Sequence, residues 1–456
     1  MGVGTIAVVG AGPSGAAAAF RLSQGGFAVR MFEAGTAVGG KARTIRRDGF
    51  VVDEGASVIP TSYRGLVRLL TDAGLVDELE PAGSVMAFAS GGTLHEFDAD
   101  HWIRDGLRTR LLSPRSKARM LRLVPDVLRF HRDLERGTDD LAAWDDRSAS
   151  DLGRWLGDRD VTERILDPLA GGLLGVSPAE VSRADVLLAA TKYLGCKFLA
   201  VRGGTSAYVD RLLERAHVDV ELEAEVVAVS ENGDGVELTW HRPGTGLVVE
   251  RFGGCVLAVP AMRAAAIHHG LDSWRREYLT TLGYTQMVVV SFGLASLQDC
   301  TTVSYVQIPS ATHPGLCGLV LEHNKAPARV PRGAGLVTAY TRGHWAASLL
   351  REDDDSVIAH VRAAVDEIRP GLLAGEGWAT VSRWDPMVPH RRPGEYARLA
   401  EFVRRSEELD RRVQLAGDYF APSNLDSATR SGERAAARIA ALHATADRHP
   451  VSLEVR

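Results

Sequence analysis

The segment 10–15, Gly-Ala-Gly-Pro-Ser-Gly, has the spacing and the surroundings of a turn that binds a nucleotide pyrophosphate. It follows a short apolar run, residues 5–9, and precedes a stretch of small residues, 16–24, as a turn between a strand and a helix would. The first glycine allows the tight turn, the second lets the backbone approach phosphate, and the third lets helix and strand pack closely. The residues predicted to contact a dinucleotide here are Gly10, Gly12, Pro13, Ser14 and Gly15.

An acidic residue stands where the second strand of such a unit would end. Glu33 follows Gly15 by eighteen residues, and its carboxylate can accept hydrogen bonds from the hydroxyls of an adenosine ribose. An ordinary glycine turn followed by a surface glutamate is the alternative interpretation. The pattern by itself does not separate FAD from NAD.

The segments 33–44 and 49–57 favour FAD over NAD, because they carry a resemblance to a known family. They resemble the second glycine motif of the flavin amine oxidase superfamily, in which a Gly-Gly pair and a basic residue follow the ribose-binding glutamate. The resemblance implies FAD, with the glycine pair close to the ribityl phosphate and a basic side chain on the pyrophosphate. Lys41 stands where most members have arginine, which leaves a point charge instead of a fork. A glycine-rich surface hairpin is the alternative. The cofactor residues implied are Ala34, Gly39, Gly40, Lys41, Arg43, Gly55, Ala56 and Ser57.

The segment 415–432 resembles the closing flavin motif of the same superfamily. The resemblance implies that Asp418 binds ribityl hydroxyls, and that the helix beginning near Leu425 directs backbone N–H groups at the flavin ring. The alternative is that this segment is an ordinary alanine-rich helix after a loop, with a structural role alone. The residues implied are Gly417, Asp418, Leu425 and Ala428, together with Val226, which matches a family valine whose backbone meets adenine.

The remaining matches point to one branch of the superfamily. Residues 165–182 are similar to a segment of protoporphyrinogen oxidases, and residues 202–205 fit those enzymes and phytoene desaturases. In amine oxidases a tryptophan at the position of Trp384 lies against the flavin, so Trp384 and Tyr284 are the candidates for the reaction site. In amine oxidases a pair of aromatic residues also frames the amine. Tyr419 and Phe420 come too early in the motif to be assigned to that pair, and aromatic residues at such positions are more often part of the hydrophobic core.

The sequence contains no serine-histidine-acid triad, paired-carboxylate motif or metal-ligand spacing, so no metal is predicted and the chemistry is assigned to the flavin. We expect an enzyme that removes hydride from a C–H of an apolar or polycyclic small molecule to form C=C or C=N, with oxygen or a quinone as electron acceptor. The alternatives are amine oxidation in secondary metabolism, a redox-neutral isomerisation, and a non-enzymatic prenyl-binding protein like the Rab GDP-dissociation inhibitors, which share the fold.

Composition limits the partners. The 456 residues include 45% hydrophobic and 24% charged residues with a net charge of −5, which is typical of a soluble protein and does not favour nucleic-acid binding. The four cysteines are scattered and none lies in the closing motif, which indicates a cytoplasmic protein with non-covalent FAD. Residues 103–136 carry ten Lys or Arg against four Asp or Glu among leucines, so a peripheral contact with an anionic membrane is a hypothesis beside an ordinary solvated helix face. The oligomeric state is not predicted.

The resemblance implies an α/β fold: a Rossmann-like FAD-binding domain of the glutathione reductase type 2 kind, with an interleaved α+β substrate-binding domain. The predicted boundaries are 1–75, 200–265 and 405–445 for the FAD-binding domain, 76–199 and 266–404 for the substrate-binding domain, and 446–456 for a frayed tail. Residues 63–199 are predicted to be mainly helical and residues 218–230 to form one strand.

Overall fold

The computed structural model describes residues 4–134, 139–298 and 301–448. Residues 449–456 of the predicted tail and Cys300 lie outside the described residues. The strands are β1 Ile6–Val9, β2 Val29–Phe32, β3 Thr44–Arg47, β4 Phe50–Asp53, β5 Ile59–Pro60, β6 Leu79–Pro81, β7 Val85–Ser90, β8 Thr93–Asp98, β9 Phe198–Val201, β10 Asp219–Glu221, β11 Glu225–Asn232, β12 Gly235–His241, β13 Val248–Phe252, β14 Gly254–Leu257, β15 Met287–Leu294, β16 Tyr305–Gln307, β17 Leu316–Leu321, β18 Gly335–Thr341, β19 Glu376–Trp384 and β20 Val413–Leu415.

Most of the longer helices begin at a side-chain cap or a proline, as for Ser182 before α9 and Asp353 before α15. The α-helices are α1 Pro13–Gln24, α2 Arg64–Asp72, α3 Trp102–Arg108, α4 Pro114–Met120, α5 Val124–Leu134, α6 Ala149–Leu156, α7 Arg159–Val161, α8 Asp167–Leu174, α9 Arg183–Tyr193, α10 Ala207–Arg215, α11 Ala261–Ile267, α12 Ser273–Thr281, α13 Glu322–Lys325, α14 Gly343–Leu349, α15 Asp354–Ile368, α16 Tyr396–Leu409 and α17 Leu425–Arg448.

A parallel five-stranded sheet in the order β10-β2-β1-β14-β20 forms the base of the cofactor region. Its central strand β1 is buried along its whole length, as its continuous apolar sequence predicts. Helices α1 and α17 pack against each other through small residues, since a Cβ on Gly432 would lie 2.0 Å from the Ser14 carbonyl oxygen. The predicted α/β class is confirmed by this sheet and its helices.

A mixed seven-stranded sheet, in the order β19-β15-β18-β17-β16-β7-β8, forms the second half of the molecule. The prediction that residues 63–199 are mainly helical is confirmed by α2 to α9, but β7 and β8 of this sheet and the short strand β6 of another sheet were not predicted. The missed signal is the pair Gly91 and Gly92, with φ of 60° and 71°, which closes a two-residue hairpin between β7 and β8.

The prediction of one strand over residues 218–230 is wrong. Strand β10 joins the parallel sheet, whereas β11 pairs with β12 in a separate antiparallel sheet. Glu223 lies between them with a φ of 53°, so the chain leaves the extended conformation at that residue. The third strand of that antiparallel sheet, β13, was not predicted.

Within the described residues, no helix combines the length and the apolar character that crossing a membrane requires.

Candidate functional site

A cavity of about 580 Å³ lies at the carboxyl edge of the parallel sheet. Residues directly after β1, β2, β14 and β20 line one part of it, which is where ligands bind in open α/β sheets. The sequence-predicted residues on its wall are Gly10, Gly12, Pro13, Ser14, Glu33, Ala34, Gly40, Lys41, Gly55, Ala56, Ser57, Val226, Gly417, Asp418, Leu425 and Ala428. We call this part the cofactor half.

Two glycine turns face each other in the cofactor half. A Cβ on Gly40 would lie 3.1 Å from the Cα of Gly12, and Gly40 has a φ of 50°, so a side chain there would push the two turns apart and strain the backbone. The neighbouring Gly39 donates its backbone N–H to the carbonyl oxygen of Ala11 at 2.8 Å, which fastens the second turn to the first. Bare backbone at the cavity wall fits a pyrophosphate, and the N terminus of α1 opens at the same place.

Glu33 is held at the wall by backbone donors. Its carboxylate accepts hydrogen bonds from the N–H of Ala11 and of Gly35, each at 2.8 Å. These bonds fix the orientation of the carboxylate beside Ala34 and Val226, which line the same part of the cavity. A fixed carboxylate next to small and apolar residues fits an adenosine ribose.

A half-buried pair of opposite charges lies in the cofactor half. The Lys41 ammonium is 3.2 Å from the carboxylate of Asp418, which also accepts a hydrogen bond from the Ser423 hydroxyl at 2.9 Å. The same ammonium lies 5.1 Å from the ring centre of Tyr284. The second glycine motif and the closing motif are therefore brought together in space. They offer one cation to a phosphate and one anion to hydroxyl groups.

The closing motif lies against α1 as the resemblance implies for a flavin site. Ser14 donates its hydroxyl to the carbonyl oxygen of Ala428 at 2.9 Å, and the Gly417 N–H donates to the hydroxyl of Ser431 at 3.0 Å. Leu425 is the first residue of α17, so the positive end of that helix dipole also lies at the cavity.

The structure does not bring five predicted residues to the cavity wall: Gly15, Gly39, Arg43, Trp384 and Tyr284. Gly15 instead allows close packing, because a Cβ there would lie 1.9 Å from the Gly10 carbonyl oxygen. Tyr284 accepts a hydrogen bond from the N–H of Ala261 at 3.0 Å.

Arg43 and Trp384 are held behind the wall by a residue that the sequence did not single out. Glu54, whose side chain is 6% exposed, forms an ion pair with Arg43, and its carbonyl oxygen accepts the indole N–H of Trp384 at 2.7 Å. The Arg43 guanidinium lies 5.3 Å from the Trp384 ring centre. Trp384 contacts the site through Gly55, where a Cβ would lie 3.5 Å from the indole. The flavin contact of Trp384 therefore stays a prediction.

The rest of the wall was missed by sequence reasoning. We call it the substrate half; it is formed by α8, α9, β16, β17 and nearby residues. Its members are Leu169, Gly172, Leu173, Leu174, Asp185, Val186, Leu188, Ala189, Lys192, Tyr193, Met287, Tyr305, Gln307, Cys317, Leu319, Tyr340, Met387 and Val388. Burial raises the pKa of the Tyr193 and Tyr340 hydroxyls, which therefore remain protonated donors. The helical spacing of Asp185, Ala189 and Lys192 was the available signal for one wall.

The described cysteines Cys196, Cys255 and Cys317 are buried thiols. Burial raises the pKa of Cys196 and of Cys317 to about 11, so both remain uncharged at neutral pH. Tyr419 and Phe420 pack with Phe402 in a hydrophobic cluster and do not line the cavity.

The chain matches the family described as flavin containing amine oxidoreductase over residues 13–440, and it belongs to that family. It is 30% identical to a mitochondrial protoporphyrinogen oxidase of Nicotiana tabacum, over 39% of this chain and 34% of that protein. It is 26% identical to a hydroxysqualene dehydroxylase of Rhodopseudomonas palustris, over 95% of this chain and 97% of that protein. A solved triple mutant of putrescine oxidase has the same fold, with a TM-score of 0.74 and 20% identity over 96% of this chain and 99% of that one.

The predicted family is thereby confirmed, and a flavin cofactor with it. Family membership also favours an enzyme over the prenyl-binding alternative. The matches to the tobacco protein and to two further porphyrinogen oxidases cover only 34%, 14% and 38% of those proteins.

Proposed function

We propose that this protein is an FAD-dependent oxidoreductase that removes hydride from a C–H of an apolar or polycyclic small molecule, forming a C=C or C=N bond. The observation that carries the proposal is the continuity of the cavity. One space joins the glycine turns of the cofactor half to the largely apolar substrate half. A ligand in the substrate half would therefore meet the ring end of a dinucleotide in the cofactor half without crossing solvent.

Bound FAD supplies the hydride acceptor, and the side chains of this protein position the reactants. The backbone of Gly12 and Gly40 would contact the pyrophosphate, Glu33 would hold the ribose, and Lys41 and Asp418 would bind phosphate and ribityl groups. The binding is non-covalent in this proposal, since no cysteine lies in the closing motif.

The substrate half contributes orientation and the exclusion of water. Apolar side chains such as Leu173, Leu188 and Leu319 remove a substrate from solvent, and holding a C–H at one fixed place supplies much of a rate enhancement. Reoxidation by oxygen or a quinone completes the proposed cycle. The two halves correspond to the proposed domains, with residues 1–75, 200–265 and 405–445 forming the cofactor domain.

We further propose that the surface formed by α3, α4 and α5 contacts a membrane peripherally. Ile103, Leu107, Leu121 and Leu128 are 60%, 73%, 68% and 63% exposed among the arginines of these helices. Exposed apolar side chains beside basic ones fit an anionic lipid surface. The end of α9 lies next to this surface, because a Cβ on Gly195 would be 3.1 Å from the Trp102 indole nitrogen.

The proposed reaction is tested by anaerobic bleaching of the flavin absorbance. The purified protein is mixed with a porphyrinogen, a polyene such as phytoene in detergent, or a series of amines. Bleaching by a porphyrinogen or a polyene, restored by oxygen or a quinone, is expected. Bleaching by amines alone, with stoichiometric peroxide on reoxidation, would replace the proposal by amine oxidation. Product formed by pre-reduced protein without net electron transfer would indicate isomerisation.

A further inference from the structure

One face of the seven-stranded sheet contributes a groove to the substrate half. In the register of β16, β17 and β18, Gln307 pairs with Gly318, and Gly318 pairs with Tyr340. Paired residues of neighbouring strands lie on the same face of a sheet, and all three residues line the cavity. Gly318 has no side chain, so a groove of bare backbone separates Gln307 from Tyr340. The Cα atoms of these two residues are two strand spacings, about 10 Å, apart.

The Tyr340 end of the groove borders the cofactor half. The Tyr340 hydroxyl lies 3.3 Å from the hydroxyl of Ser57 and 3.5 Å from the carbonyl oxygen of Gly55, and both of these residues belong to the cofactor half. Burial raises the pKa of Tyr340, so its hydroxyl stays protonated. The groove therefore extends from the border of the cofactor half to Gln307.

The side chain of Gln307 is the polar group at the other end. The residue is half-buried, its amide atoms keep accessible surface, and they hydrogen-bond to no residue that the structure describes. The adjoining face of α8 is apolar, because Leu169 and Leu173 line the cavity beside Gly172. A hydrocarbon that covered the amide would remove its hydrogen bonds to water and replace none of them, whereas a ligand with a matching polar group would replace them.

Helix α8 fixes the position of this amide. A Cβ on Gly172 would lie 2.7 Å from the side-chain oxygen of Gln307, so the amide packs directly on the bare backbone of the helix. The first residue of α8, Asp167, accepts the backbone N–H of Ser310 at 2.6 Å and pairs with the Arg342 guanidinium at 2.9 Å. Ser310 follows β16 in the chain, so these bonds hold the helix and the strand together.

We infer that Gln307 is a specificity-determining residue that hydrogen-bonds a neutral oxygen group of the substrate, either a hydroxyl or a carbonyl. An amide offers donors and an acceptor without a charge, so it matches both groups and gives an ion no counter-charge. The inference rests on the proposed function, since it names the polar group of the molecule that occupies the substrate half. Within the proposed apolar or polycyclic class it predicts a preference for members with such a group, bound with that group at Gln307 and the reacting C–H toward Tyr340.

The test titrates the holoprotein by calorimetry with three compounds that share one fused-ring skeleton: tetralin, β-tetralol and β-tetralone. They carry no oxygen, a hydroxyl and a carbonyl respectively, so the affinity of each oxygen compound divided by that of tetralin isolates the contribution of the polar group. In Gln307→Leu we expect both ratios to fall about tenfold, while the affinity for tetralin stays within about threefold. Retained tetralin binding also shows that the variant has folded.

Two further variants distinguish hydrogen bonding from a change of volume. At alkaline pH the carboxylate of Gln307→Glu accepts hydrogen bonds and donates none, so the ratio for β-tetralone should fall about tenfold while that for β-tetralol stays within about threefold. Gly172→Ala should lower both ratios about threefold, because its Cβ displaces the Gln307 amide.

Gln298→Leu is the matched control, because it makes the same substitution at an exposed position outside the cavity. It should leave all three affinities unchanged. Unaltered ratios in Gln307→Leu, or equal losses for all three compounds, would overturn the inference. A colourless preparation would instead overturn the proposed function, and the calorimetric ratios would still report on Gln307.

Discussion

The two halves of the cavity are built by different means. The cofactor half consists of backbone turns and a few fixed charges contributed by short, contiguous motifs, such as residues 10–15 and 39–41. The substrate half consists of side chains from helices and strands that are far apart in the sequence, from Leu169 to Val388. A single added Cβ should therefore abolish binding in the cofactor half. Binding in the substrate half should instead change gradually with the volume and polarity of its side chains.

The largest effect that this comparison predicts comes from Gly40→Val. The new Cβ would lie 3.1 Å from Gly12 Cα at a φ of 50°, so the two glycine turns that form the proposed pyrophosphate site should be forced out of position. We expect at least a hundredfold loss of flavin affinity, measured by reconstitution of the apoprotein. Gly244→Val is the matched control: its φ is 76° but it faces open space, so it should bind flavin normally. Flavin loss in both variants would make the effect one of general backbone strain.

Removal of the ribose acceptor should be the next largest effect. Glu33→Ala removes a charged hydrogen-bond acceptor and also leaves the N–H groups of Ala11 and Gly35 without their partner. We expect a loss of flavin affinity of roughly thirtyfold, since such bonds contribute about 1.5–3 kcal/mol. Glu221→Ala, which removes an ion-pair partner of Arg30 outside the cavity, should leave that affinity unchanged. An unaltered affinity in Glu33→Ala would remove this residue from the cofactor half.

A substitution in the substrate half should weaken substrate binding and leave flavin binding unchanged. Ala189→Leu adds volume to a buried position of the wall, so the substrate concentration for half-maximal flavin bleaching should rise about tenfold while flavin content stays constant. Ala190→Leu, on the same helix but away from the cavity, is the control. A loss of flavin in Ala189→Leu would show that the two halves are not independent.

The smallest predicted effect concerns the exposed surface of α3 to α5. Leu107→Gln combined with Leu121→Gln should weaken sedimentation with anionic vesicles about fivefold, because each side chain loses apolar area to bury in lipid. Leu247→Gln changes a similarly exposed leucine in the loop before β13 and should have no effect. Vesicle binding that is unchanged in the double variant would remove the proposed membrane contact without touching the reaction.

The same comparison explains how far sequence reasoning reached. The wall of the cofactor half could be predicted because the roles proposed for Gly12, Gly40 and Glu33 depend on backbone geometry and on position within short motifs, which leave a local signature in the sequence. Gly15 illustrates a different kind of success: its glycine is required for packing against Gly10, not for lining the site.

The substrate half could not be predicted, because Asp185 and Gln307 reach the same cavity only through the tertiary fold and neither stands in a motif. Arg43 and Trp384 were assigned to the cofactor by resemblance, but the sequence gives no sign that buried Glu54 would engage both of them. Which partner Arg43 or Trp384 contacts depends on distances in the folded protein, and the sequence does not give those distances.

The central claim is tested most directly by the visible absorption spectrum of the purified protein before and after heat denaturation and filtration. The account predicts a flavin spectrum in the native protein and, in the filtrate, a released chromophore that co-migrates with FAD. A colourless protein that cannot be reconstituted with FAD would contradict it, and a chromophore that stays with the precipitate would contradict non-covalent binding.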